Sequence, residues 1–168
     1  MKKYKTKKEG NMLRIIALKN FFGVKKGDIG GLIEKEENLS QEGICWVYPN
    51  AVVSGNAKVF DNAWIEGNAE VYGYARVCGN ARVYGNAKVY GFAWVSGKAC
   101  VSGNARIYGN IKLWSTENSY FFTSIKDSKD YVILRIKKDF YTISLSTNIK
   151  EDYLKNIQTI RQLYEKEI

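Results

Sequence analysis

Three thiols, Cys45, Cys78 and Cys100, and three carboxylates, Asp61, Glu66 and Glu70, are the side chains in the middle of this chain with a capacity for chemistry as nucleophile, general base or metal ligand. None has an imidazole to work with, because the 168 residues include no histidine. Every mechanism that needs a neutral imidazole as base, as partner to a nucleophile or as zinc ligand is thereby closed to this chain. The thiols are odd in number and lack Cys-x-x-Cys spacing, which argues against both a zinc site and a disulfide scaffold. They read as structural thiols in a reducing cytosol. The expectation is a protein that is not an enzyme and holds no metal and no cofactor.

The element that carries these residues is a repeat of six. Stepping by six from Trp46-Val47-Tyr48 gives Val47, Val53, Val59, Ile65, Val71, Val77, Val83, Val89, Val95, Val101, Ile107 and Leu113, all aliphatic. Four residues after each stands a small one, Ala51 to Ala105 without a gap, until Ile111 breaks the row. Glycine mostly stands two before the alanine, with Pro49 and Asp61 the exceptions, and asparagine often lies between them, as at Asn56, Asn68 and Asn86. A helix needs apolar residues three to four apart, and this many glycines would cost it about 1 kcal/mol each. A short strand centred on the aliphatic, followed by a Gly-Asn corner that tolerates positive φ, fits every copy. Coils built this way stack about 4.8 Å apart and pair their backbones from coil to coil.

This pattern resembles the hexapeptide-repeat, left-handed parallel β-helix proteins. Its Val-x-Gly-Asn-Ala flavour is similar to phage and prophage hexapeptide proteins. The resemblance extends upstream through Ala17-Leu18-Lys19-Asn20-Phe21, Lys26-Gly27-Asp28-Ile29-Gly30-Gly31-Leu32-Ile33-Glu34 and Asn38-Leu39-Ser40-Gln41-Glu42-Gly43. It implies triangular coils of three hexads, hence about four coils over residues 46–114. It also implies homo-oligomers, trimers or dimers. Acyltransferases that share the repeat use a histidine base, which this chain lacks.

With three hexads to a coil, residues 18 apart share a face, and the neighbours of each inward aliphatic point outward. One face then stacks Tyr72, Tyr90 and Tyr108 above Ser54, beside the column Val52, Glu70, Lys88, Arg106. A second presents Tyr48, Glu66, Tyr84 and Ser102 beside Trp46, Trp64, Arg82 and Cys100. The third presents Phe60, Cys78, Ser96 and Trp114 beside Lys58, Arg76, Trp94 and Lys112. Glu66 and Glu70 fall on different faces, so no paired-carboxylate site forms within one chain.

Aromatic residues at this density on outward positions point to an interface, and tyrosine, tryptophan and arginine are the types that anchor interfaces. The formal charge of +9 is concentrated toward the N-terminus: residues 1–45 hold 10 basic and 6 acidic groups, residues 46–114 hold 7 and 3, and residues 115–168 hold 9 and 8. Basic and aromatic groups together suit an acidic protein, a nucleoprotein or nucleic acid, with rings stacking on bases in the last case. The residues expected to meet a partner are Tyr72, Tyr90, Tyr108, Lys88, Arg106, Arg82, Trp64 and Tyr84. The reading is a non-catalytic solenoid that binds a host protein or nucleoprotein, in its sharpest form a phage product blocking a defence complex such as a CRISPR effector. An acyltransferase with a non-histidine base and a structural scaffold are the alternatives.

The flanks divide the chain into an N-terminal strand and cap (1–45), the solenoid (46–114) and a C-terminal cap (115–168). Residues 12–18 read as a strand, Gly27-Asp28-Ile29-Gly30-Gly31 as a tight turn, and Lys2, Lys3, Lys5, Lys7 and Lys8 as solvated charge. Residues 120–125, 131–136 and 140–146 read as a three-stranded meander. A helix follows from about residue 149, with Asn148 and Glu151 at capping-box spacing. No run approaches the roughly 20 apolar residues of a membrane helix, so the expected location is the cytoplasm of a bacterial host.

Overall fold

Each hexad obeys one local rule. In a strand such as Glu70–Val71 the aliphatic residue points inward and is fully buried, the chain then turns at Gly73 with φ +71°, and Ala75 enters the interior at the corner with no exposed surface. Repetition of that rule produces the left-handed parallel β-helix that the sequence leads one to expect. The computed structural model describes residues 2–110, 112–115, 121–124 and 132–135.

Three parallel sheets form the walls. Face one contains Ile29–Ile33, Val52–Val53, Glu70–Val71, Lys88–Val89 and Arg106–Ile107. Face two contains Trp46–Val47, Trp64–Ile65, Arg82–Val83 and Cys100–Val101. Face three contains Lys58–Val59, Arg76–Val77, Trp94–Gly97 and Lys112–Ser115. The register places residues 18 apart side by side, as in Glu70 with Lys88 and Lys88 with Arg106. Backbone amides of one coil donate to carbonyls of the next, for example Tyr72 N–H to the Val89 carbonyl (3.0 Å) and Tyr90 N–H to the Ile107 carbonyl (2.8 Å). Asparagine side chains at the corners form a second ladder, Asn68 donating to Asn86 (3.1 Å) and Asn86 to Asn104 (3.2 Å).

The stack has about five levels, one more than the repeat alone gives, because coiling reaches into the N-terminal segment. Ile29–Ile33 pairs in parallel with Val52–Val53, and Leu39 bridges in parallel to Val59. The six-residue step holds from Ile33 to Leu39 but stretches to eight from Leu39 to Val47, which hides this coil from a strict period. The tight turn expected at 27–31 is therefore a strand from Ile29 onward. Its two glycines serve close approach: a Cβ on Gly30 would stand 2.5 Å from Ile15 and 2.7 Å from Trp46, and one on Gly31 would stand 2.4 Å from the Ala51 carbonyl.

Two further strands extend face one: β1 (Tyr4–Glu9) pairs antiparallel with β2 (Met12–Ala17), and β2 pairs antiparallel with β3 (Ile29–Ile33). They close the start of the prism. Tyr4 is buried and its hydroxyl donates to the Leu39 carbonyl (2.7 Å), while Tyr4 and Phe21 meet the Trp46 ring edge-on at 6.4 and 5.4 Å. The Arg14 guanidinium donates to the carbonyls of Gly30 (3.1 Å) and Pro49 (2.7 Å). Lys3 departs from the expected solvated run, for its side chain is fully buried, with Nζ 3.1 Å from the Cys45 sulfur.

Beyond the solenoid, Phe121–Ser124 pairs antiparallel with Val132–Arg135. The expected third strand at 140–146 and the helix from 149 lie outside the described residues. Among the described residues the helical element is a single 3-10 turn, Glu36–Asn38, and no helix is long and apolar enough to cross a membrane.

Candidate binding faces

The column Val52, Glu70, Lys88, Arg106 and its neighbours Ser54, Tyr72, Tyr90, Tyr108 are fixed by the strand register of face one. Because parallel strands hold equivalent residues at the coil spacing, the tyrosine rings fall into a stack. Tyr72 and Tyr90 lie 4.8 Å apart with planes inclined by 4°, and Tyr90 and Tyr108 lie 5.3 Å apart at 15°. Tyr72 and Tyr90 are half-buried, and Tyr108 is 37% exposed. Burial, with Tyr90 beside it, pushes the Tyr72 phenol above its ordinary value. The stack settles what these rings can offer. Ring faces inside the ladder are taken by other rings, so the surface presented is one of ring edges and hydroxyls.

A second aromatic column runs along the adjoining corner. Tyr74 and Phe92, 55% and 62% exposed, stack at 5.1 Å and 11°. Sequence reasoning missed this pair. The signal was present: on the column Asn56, Tyr74, Phe92, Asn110 an aromatic replaces the corner asparagine twice.

The charged members of face one are not equivalent. Lys88 Nζ donates to both Glu70 oxygens, at 2.8 and 2.9 Å. Arg106, directly above Lys88 in the register, is exposed.

Arg82, Trp64 and Tyr84 gather on face two. The Arg82 guanidinium donates to Glu66 Oε1 (2.8 Å) and lies over the rings of Trp64 (5.4 Å) and Tyr84 (5.8 Å). The bond to Glu66 holds its basicity above the ordinary arginine value. Trp64 is partly screened by Phe22 (5.0 Å) and Tyr48 (6.0 Å), and Trp46 below it, mapped outward by the period, is buried under the N-terminal strands. The eight sequence-derived residues thus form two clusters, five on face one and three on face two.

On face three, Trp94 donates its indole N–H to the Cys78 sulfur (3.2 Å) and is flanked by Arg76 (5.6 Å) and Lys112 (5.8 Å). Cys78 is buried there, and burial pushes its thiol above the ordinary value, which leaves little thiolate. Glu66 and Glu70 stand on different faces, each tied to its own cation. The carboxylate of Asp61 accepts the Gly79 amide (3.1 Å). Among the described residues no group of three cysteine, aspartate or glutamate side chains is placed to hold a metal ion.

Residues 75–91 match a family model described as the YdcK beta solenoid repeat. The chain is also similar to the uncharacterized acetyltransferase YdcK of Escherichia coli (strain K12), 41% identical over 61 residues. That match covers 32% of this chain and 19% of the relative, so the chain spans about a fifth of the relative's length. The family-model match falls within the hexad repeat, in agreement with the β-solenoid.

Proposed function

We propose that this chain is a non-catalytic binding solenoid that presents the tyrosine face to a protein surface. The observation that carries the reading is the double aromatic column: Tyr72, Tyr90 and Tyr108 stacked on face one, with Tyr74 and Phe92 beside them at the corner. A closed stack on a rigid β-helix is already ordered, so a partner would meet edges and hydroxyls without an entropic cost for fixing them. Single-stranded nucleic acid is less well suited, because base stacking needs ring faces. Arg106 supplies the exposed charge at this face, and Lys88 contributes chiefly through Glu70. The sharper form of the reading is occlusion of a host nucleoprotein complex, supported by the resemblance to phage proteins and by the basic excess.

The test is capture of partners from host lysate at low salt, with and without nuclease, by the parent chain and by two variants. A nuclease-resistant protein partner lost with Tyr72→Ser/Tyr90→Ser/Tyr108→Ser and kept with Trp64→Ala/Arg82→Ala supports the proposal. Loss with the face-two variant alone moves the site to Arg82, Trp64 and Tyr84. Loss on nuclease treatment transfers the reading to nucleic acid.

Acyl transfer is the second reading, favoured by the name of the Escherichia coli relative, an uncharacterized acetyltransferase. Within this chain it would require a carboxylate base. Consumption of acetyl-CoA by the purified chain, abolished by Glu66→Gln or Glu70→Gln, would establish it.

A further inference from the structure

Lys3 and Cys45 meet at the start of the prism with neither side chain exposed. Cys45 occupies the inward position that alanine holds in each later hexad from Ala51 to Ala105. A lysine this deeply buried ordinarily faces a carboxylate. Here Nζ is met instead by the Glu42 carbonyl (3.1 Å), the Cys45 carbonyl (2.9 Å) and the Cys45 sulfur (3.1 Å), with the Phe21 ring at 5.7 Å. Burial lowers the proton affinity of the amine and raises that of the thiol, and both shifts favour the neutral forms. Nζ donates to both carbonyls and to the sulfur, which holds the amine nitrogen 3.1 Å from Sγ.

We propose that Lys3 and Cys45 are a redox-sensitive pair, in which a peroxide joins Nζ to Sγ by a sulfur–nitrogen bond. The Lys3 amine, 3.1 Å away, takes the thiol proton. The thiolate attacks one peroxide oxygen, the O–O bond breaks, and the departing hydroxide takes the proton back from the ammonium to leave as water. This produces a sulfenic acid at Cys45. The Nζ lone pair then attacks the sulfur, the S–O bond breaks, and the hydroxyl departs as a second water with one amine proton. Thiol, amine and one peroxide become a sulfenamide and two waters; the sulfur is oxidised by two electrons and the peroxide reduced by two.

Enclosure selects this outcome. A sulfenic acid at Cys45 is closed to bulky thiols, whereas peroxide is water-sized and enters by local opening of β1. Nζ is the amine already in place. The bond would fasten β1 to the first coil across a sequence separation of 42 residues and so stabilise the N-terminal closure.

The experiment uses the full chain with Cys78→Ser and Cys100→Ser, which leaves Cys45 as its sole thiol. Hydrogen peroxide is added to the folded protein, followed by peptide mass mapping and thermal unfolding. The expected product is lighter by about 2 Da. It contains a cross-linked peptide holding Lys3 and Cys45, unfolds at higher temperature, and returns to the starting mass with dithiothreitol. A gain of about 16 or 32 Da on Cys45 with Lys3 unmodified would overturn the proposal. So would a Cys45 that stays unreacted while the urea-unfolded chain is oxidised. In the Lys3→Met variant the oxidation is expected to stop at the acid; a 2-Da loss there would assign the bond to another nitrogen and overturn the pairing.

Discussion

Lys88 Nζ lies 2.8 Å from Oε1 of Glu70, the residue that faces it across one coil step, while Arg106 opposes Lys88 on the other side as a like charge. The column therefore alternates unevenly: one attractive contact and one repulsive contact share the same ammonium. Its net electrostatic reach is weaker than a count of basic residues suggests.

The two cations should respond in opposite ways to charge reversal. Lys88→Glu sets two carboxylates directly across the strands and loses both bonds to Glu70, while Arg106 becomes an opposite charge that offsets part of the loss. It is therefore expected to destabilise the fold by less than about 1 kcal/mol, the screened value for a pair this exposed. Arg106→Glu instead places a carboxylate above Lys88 and should be neutral or slightly stabilising. Urea unfolding at low and high salt reads both, and the Lys88 effect should shrink with salt. Binding assays on Arg106→Glu are then free of a stability artefact.

Gly10 and Gly67 have nearly the same backbone angle, φ +62° and +64°, in very different surroundings. A Cβ on Gly10 meets nothing within 4 Å, but one on Gly67 stands 2.9 Å from the Gly85 carbonyl oxygen and 3.0 Å from its amide nitrogen. Gly10→Ala should cost about 1 kcal/mol, the left-handed conformation alone. Gly67→Ala adds a clash with the backbone of the next coil and should cost at least roughly twice as much. Equal losses in chemical denaturation would mean that the coils part easily at their corners.

The walls of the prism were legible because one residue type per position decides them. Val, Ile or Leu at every sixth residue fixes the inward side, and the 18-residue step then assigns Glu70, Lys88 and Arg106 to one column without any structure. The N-terminal coil was not legible. Its spacing of eight from Leu39 to Val47 breaks the period, and Gly30 and Gly31 read as a turn although they sit in a strand. Exposure was the other weak point. Periodicity tells inward from outward within a coil, but Trp46 is covered by strands far from it in sequence, and Lys3 enters the core from a run that looks solvated. The candidate residues were found as columns; that tyrosines stack while Lys88 and Arg82 pair with glutamates needed coordinates.

The Lys3 amine gives stability a pH dependence of known sign. Its proton affinity is lowered by burial, so the unfolded chain binds that proton more readily, and stability should rise with pH up to the ordinary lysine value of 10.5. Cys45 and Tyr4 act oppositely. Burial raises both above their ordinary values of 9.0 and 10.0, and their contribution is lost as the unfolded chain ionises above those values. Lys3→Met should remove the rising limb and leave the falling one. Unfolding free energies of parent and variant between neutral pH and 9 check this: the gap should move in favour of the parent as pH increases. A constant gap would mean that Lys3 is protonated in the fold.

Tyr90 is the middle ring of the ladder and the one that touches both others. Two stacked contacts at about 0.5–1.5 kcal/mol each make Tyr90→Ala costly by about 1–3 kcal/mol, whereas Tyr90→Phe retains both. The same substitution has a spectroscopic consequence. Burial, and then Tyr90 itself, keep the Tyr72 phenol above its ordinary value, so removing the ring should let Tyr72 ionise at lower pH, which ultraviolet titration detects. Partner capture adds the functional reading. Since the ladder offers edges and hydroxyls, Tyr90→Phe should weaken binding in proportion to the hydrogen bonds its hydroxyl makes, while Tyr90→Ala should abolish it by opening a gap between Tyr72 and Tyr108. Full capture by Tyr90→Ala would remove face one from the interface.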